Sequence, residues 1–313
     1  MYTYEQSKFG EWEKITLRNP TTGNSFSLVP TMGACLLNLC FQGQQVLDSF
    51  QSPEALKLGD WAKSAVLFPF PNRLRDGRYT FAGKQYQFPL NDASGPNAIH
   101  GFGRQKAFTV QDYQVTSDQG SITCLYEDSG EQPGYPFPFS VEMKFSISDD
   151  NGFEVSLTMT NLGTQAMPAG LGWHPYFTLG NTVDQYFLQL PACDLIEVDP
   201  TMIPTGRQTP YTNFNESTPI KNTILDSCFK LTASTSKRSY IKIESDTATL
   251  TYWQERKTHA WPFVQIFTPP HRKSIAIEPM TCNVDAFNNQ DGLIILHPNQ
   301  QFGGKFGLQF VKK

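Results

Sequence analysis

No stretch of this 313-residue chain approaches the ~20 consecutive apolar residues that a membrane-spanning helix needs. The opening segment, Met1 to Lys14, also lacks the apolar core of a secretory leader, so a soluble cytoplasmic protein with no membrane partner is expected. Basic charge is in short supply: 25 Lys and Arg stand against 29 Asp and Glu, a formal net charge of −4. Non-specific nucleic-acid binding, which runs on Lys and Arg neutralising phosphates, is thereby disfavoured. None of the six cysteines (Cys35, Cys40, Cys124, Cys193, Cys228, Cys282) forms a C-x-x-C pair. Most sit in apolar runs such as Gly33–Cys40 and Ile122–Leu125, so buried free thiols are expected rather than disulfides.

Cofactor signatures are missing as well. There is no phosphate-cradling glycine loop, no dinucleotide fingerprint and no nucleophile elbow. No two of the five histidines have the i, i+2 or i, i+4 spacing of a compact metal site, so neither cofactor nor metal is expected. No low-complexity linker, composition break or internal repeat of roughly 20–50 residues divides the chain. A single domain over residues 1–313 follows as the expectation.

What the chain has is a period of two. Phe153, Val155, Leu157 and Met159 alternate with polar residues, and so do Val141, Met143, Phe145 and Ile147 just upstream. Between them Ser148–Gly152 ends in Asn-Gly, a pair suited to the positive φ angles of a hairpin turn. Arg78–Phe81 and Gln85–Phe88 flank a turn at Ala82-Gly83-Lys84, and Ser239–Glu244 and Thr247–Trp253 flank Ser245-Asp246. Runs at Lys14–Arg18, Ser25–Val29, Phe108–Val115, Val264–Phe267, Ser274–Glu278, Leu293–Leu296 and Gly307–Val311 have strand composition. Helical periodicity is confined to a short turn at Pro53–Leu58. The fold class is all-β, a large sandwich.

Candidate chemistry is scattered. His100 lies beside Gly101, and His174 lies in a Gly/Pro/aromatic stretch from Gly170 to Phe177; either could be a structural histidine or a proton carrier. His259, His271 and His297 sit in polar, turn-rich segments and read as surface residues. Glu278 closes an apolar run, where it faces either solvent or a pocket; burial would raise its proton affinity and suit it to proton transfer. Pro279 should stop that strand by removing a ladder donor. Asp226 is likewise a carboxylate among apolar residues. Arg73 follows rigid, proline-rich residues, so its donor fork is either part of a solvated charge run or aimed at substrate oxygens.

In order along the chain, Pro69–Gly77 (PFPNRLRDG), Asn97–Phe102 (NAIHGF), Trp173–Phe177 (WHPYF), Glu278–Thr281 (EPMT) and Asp285–Asn288 (DAFN) resemble the aldose 1-epimerase (galactose mutarotase) family. The resemblance runs from Gly33 to the final strands. It implies a single-domain β-supersandwich binding a monosaccharide in a cleft, with no cofactor. Matched residue by residue, it implies Glu278 as catalytic base, His174 as catalytic acid, and His100, Asn72, Arg73 and Asp226 as substrate-binding residues. Such a base takes the C1 hydroxyl proton while the acid, on the other side of the reacting centre, protonates ring oxygen O5. In the best-studied branch a glutamine and a proline-aspartate follow the glutamate; here Pro279, Met280 and Asn283-Val284-Asp285 stand, and Pro175 also departs. The chain looks like a more generic, bacterial-type member, which leaves the preferred aldose open. His100–Arg104 (HGFGR) is also similar to relatives acting on hexose 6-phosphates, with Arg104 and Lys106 as phosphate contacts, although the long Asn72–Gly77 motif favours unphosphorylated aldoses. A carbohydrate-binding module that kept the fold without the chemistry is the remaining alternative.

Overall fold

The computed structural model describes residues 1–232, 235–256 and 260–313; His259 lies outside the described residues. The hairpin expected from the alternation forms, with Phe139–Ser148 antiparallel to Gly152–Asn161 and Met143 facing Leu157. Asn151, at φ 65°, supplies the left-handed turn residue of the Asn-Gly pair. This hairpin sits inside a nine-stranded antiparallel sheet of order Thr109–Val115, Gln119–Asp128, Phe139–Ser148, Gly152–Asn161, Gln301–Lys312, Ala248–Glu255, Arg238–Glu244, Phe187–Gln189, Thr218–Pro219.

A second sheet runs Pro204–Tyr211, Cys193–Val198, Asp226–Leu231, Phe263–Phe267, Ile275–Met280, Gly172–His174, Ala65–Leu67, with Tyr176–Phe177 also pairing Ile275–Met280. A five-stranded sheet over Thr3–Gln45 covers part of the first, where Phe26 meets Phe153 edge-on with ring centres 5.5 Å apart. The two large sheets press together through aromatics. Trp173 of the second stacks on Phe306 of the first at 5.4 Å, and Trp261 meets the same ring edge-on at 5.0 Å. Large apolar side chains placed at every second position leave no other face to bury them, hence the sandwich. Truncating that shared ring, Phe306→Ala, should cost about 3–5 kcal/mol, read as a lower urea midpoint at unchanged slope. A loss below about 1 kcal/mol would mean that the sheets do not depend on this contact.

Local readings fare differently. Pro53–Leu58 is helical, because the Ser52 hydroxyl accepts from the Ala55 amide at 3.2 Å and Gly59 closes it at φ 67°. The turn in the Arg78–Phe81 hairpin is shorter than expected: Ala82 and Gly83 both take positive φ, and Lys84 already pairs with Phe81. Pro279 does not stop its strand. Ile275–Met280 continues through it, with Val264 opposite Pro279 and Phe263 opposite Met280. On its other side no pairing falls between Ala276 and Met280, so the missing donor lies where the ladder is already open. All six cysteines are free thiols, and all but the half-buried Cys40 are buried.

Candidate active site

Sheet register alone assembles most of the site. Gly172 pairs with Met280 and Tyr176 with Ala276, one register carried across the gap at Pro175, so His174 stands directly opposite Glu278. On the far side Glu278 faces Gln265. Residues opposite one another in antiparallel strands share a face. One pleat further along that face come Tyr176, Phe267 and Asp226. A cleft of about 770 Å³ opens over these side chains.

The opposite wall is a small ribbon. Arg73–Leu74 pairs with Ala98–Ile99, and just beyond it the His100 amide donates to the Asn72 carbonyl at 2.8 Å. The Asn72 amide donates in return to His100 Nδ1 at 3.3 Å, which puts the imidazole proton on Nε2. Asn72 and His100 hold φ of 56° and 63°, a left-handed backbone costing about 1–2 kcal/mol per non-glycine residue and sustained here by that mutual clamp. Asp285, from the last quoted motif, braces the ribbon: its amide donates to the Arg73 carbonyl at 2.8 Å and its Oδ1 accepts from the Arg75 amide at 2.9 Å. Gln265 ties ribbon to sheet, accepting from Asn72 Nδ2 at 3.3 Å and donating to Asp226 Oδ1 at 2.7 Å. Arg73 Nε donates to the buried Asp92 carboxylate at 2.8 Å, and Nη2 to Ser94 Oγ at 3.2 Å.

His174 and Glu278 are 6% and 1% exposed, so charging either one means desolvating it. Their Nε2 and Oε1 atoms lie 3.4 Å apart, while His174 Nδ1 and Glu278 Oε2 have no hydrogen-bond partner among the described residues. The two side chains stand side by side. Burial pushes Glu278 well above the usual carboxylate range, Asp226 pushes it further, and Arg73 opposes both. Burial also drives His174 down to about 3. His100 is held neutral by burial and by the nearby charges, so it presents an N–H donor to the cleft.

All six expected residues, Glu278, His174, His100, Asn72, Arg73 and Asp226, line this one cleft. Arg104 lines it too, but Lys106 does not: its Nζ donates to Gln132 at 2.7 Å and lies over the Phe102 ring in a neighbouring hollow. His271 and His297 are exposed, as expected. Gln265, Tyr176, Asp92 and Trp61 are among the cleft residues that carried no role in the sequence reading. Gln265 left a signal, a lone amide in an otherwise apolar strand; Tyr176 stood within a quoted motif. Asp92 and Trp61 lie in turn-like segments with nothing to mark them. Tyr176 stacks on His174 at 5.0 Å and donates its hydroxyl to the Trp61 carbonyl at 2.9 Å.

Residues 13–309 match the family described as aldose 1-epimerase. The chain belongs to that family. This aldose 1-epimerase family member is 31% identical over 292 residues to an uncharacterized protein, YihR, of Escherichia coli strain K12, with 91% of each chain covered. It is 30% identical over 146 residues to galactose mutarotase of Rattus norvegicus, a match spanning 45% of this chain and 41% of the rat protein. Its fold superposes on a galactose mutarotase-like protein from Clostridium acetobutylicum with a TM-score of 0.88 at 20% identity, covering 100% and 99% of the two chains. The galactose 1-epimerase of Lactobacillus acidophilus NCFM gives 0.83 at 18% identity, again over 100% and 99%. Membership places the chain among isomerases that act on small sugars.

Proposed function

We propose that the protein is an aldose 1-epimerase that interconverts the α and β anomers of a free aldose within one domain and without a cofactor. The observation that carries this reading is the buried His174–Glu278 pair, 3.4 Å apart, each with a polar atom that no described residue bonds, in a sugar-sized cleft. Glu278 takes the proton of the C1 hydroxyl, and the freed electron pair forms the C1 carbonyl. The C1–O5 bond breaks with its electrons on O5, which takes a proton from His174. Rotation about C1–C2 exposes the other carbonyl face, and the same transfers run backward to close the ring. His100 Nε2–H, Arg73, Asn72 and Asp226 hold the sugar oxygens, with Asp92 and Gln265 fixing Arg73, Asn72 and Asp226 in place. Six unpaired thiols fit a reducing, cytoplasmic compartment.

Magnetisation-transfer NMR between the anomers of glucose, galactose, xylose and arabinose tests the reading. Faster exchange with catalytic amounts of protein is expected for at least one of them. A folded protein that binds sugar and accelerates none would instead be a binding module.

A further inference from the structure

Trp61 lines the cleft with 48% of its surface exposed, and proton transfer gives it no part to play. An exposed tryptophan alone says little, since apolar atoms make up much of any protein surface. The backbone that carries this one says more. The helix Pro53–Leu58 ends at Gly59, and just beyond it Trp61, Ala62 and Ser64 take φ of 62°, 48° and 56°. Residues other than glycine hold that left-handed backbone only where their surroundings impose it, and such strain gathers at ligand sites.

Three hydrogen bonds impose it here, all shared with the stretch that carries His174. The Ser64 amide donates to the His174 carbonyl at 2.8 Å, and Trp173 Nε1 donates to the Ser64 carbonyl at 3.2 Å. The Tyr176 hydroxyl donates to the Trp61 carbonyl at 2.9 Å, while its ring stacks on His174 at 5.0 Å. Phe267 backs the indole, with ring centres 5.9 Å apart and 23° between the planes, and Phe267 pairs with Asp226 in the sheet. Trp61 is thereby tied through its neighbours both to the proposed acid and to a proposed hydroxyl-binding carboxylate. A surface tryptophan on a loose loop would have neither tie.

The chemistry of a pyranose supplies a use for such a ring. Sugar hydroxyls project mostly from the rim and suit Arg73, Asn72, His100 and Asp226, whereas the two faces carry C–H groups that need an apolar partner. We propose that Trp61 is that partner, a specificity-determining platform on which one C–H face of the aldose ring packs. The inference rests on the epimerase reading above for the identity of the ligand, an uncharged aldopyranose. A platform serves ground state and transition state alike, so it sets KM and leaves kcat.

Trp61→Ala and Trp61→Phe test it on anomer exchange of glucose and galactose. Alanine meets the same left-handed backbone cost as tryptophan, so the first variant removes the ring and keeps the turn. Expected in Trp61→Ala is a KM raised about tenfold for whichever sugar is turned over, with kcat within about threefold, and most of the loss restored in Trp61→Phe. An unchanged KM, or a collapsed kcat at constant KM, would overturn the proposal. Intrinsic fluorescence gives a second readout, since Trp61 is the one tryptophan lining the cleft among the described residues. Sugar should change the emission of the wild type and not that of Trp61→Phe; equal responses, or none in either, would overturn the platform. No catalysed exchange for any sugar would sink the epimerase reading instead. Calorimetric binding of glucose and galactose would then decide the platform alone. Wild-type binding weakened about tenfold in Trp61→Ala supports it, and equal binding, or none, overturns it.

Discussion

Glu278→Gln should slow catalysed anomer exchange by about 10²–10⁴-fold, the usual worth of one positioned general base. Glutamine keeps the size and most of the hydrogen-bonding capacity of the side chain, and it removes only the ability to carry the proton of the C1 hydroxyl. The site makes the carboxylate a strong base for its type. It is 1% exposed, and both burial and Asp226 resist its ionised form, so a proton taken from the sugar is held firmly. The fold should survive, because an amide costs less to bury than a carboxylate. Magnetisation-transfer rates measured beside far-UV circular dichroism and a thermal melt would separate the two effects. A variant within twofold of wild type would remove Glu278 from the mechanism.

His174→Asn should lose a similar factor of about 10²–10⁴, and its pH profile should change sign. In the wild type the buried pair titrates as a unit. Glu278 is raised and His174 is lowered to about 3, so one proton stays on the pair across the range between them. Those directions rest the proton on Glu278, and the pair becomes the working form when that proton passes from Glu278 Oε1 to His174 Nε2 across the 3.4 Å between them, which leaves a carboxylate to take the C1 hydroxyl proton and an imidazolium to protonate O5. As pH rises through the raised Glu278 value the last proton leaves and His174 has nothing to donate, so wild-type activity falls. In His174→Asn the acid is already gone, and residual activity needs only an ionised Glu278. It should therefore rise with pH across the same range. Parallel profiles in the two proteins would contradict the assignment of His174 as acid, whereas a merely structural role would lower activity at every pH alike.

The strands, their alternation and the residues proposed as proton carriers were legible in the sequence, because period-two burial and short motifs are local properties. Met143 and Leu157 announce their shared face whatever lies above them, and Asn151 announces its turn. The wrong reading of Pro279 shows where local reasoning ends. A proline removes one donor, and whether that matters depends on whether a neighbouring strand needs it; here the ladder is open beside it. Tertiary structure alone decided that His174 and Glu278 lie side by side. Their contact joins residues 104 positions apart through a register continued across Pro175. It likewise decided that Arg73 is neutralised by Asp92 and Arg272 by Asp184, while Arg104, lining the same cleft, meets no carboxylate among the described residues. Charge pairing and desolvation act over a few ångströms of space. A sequence orders residues along one dimension, so it names the groups that carry charge but not which of them the folded chain leaves without a partner.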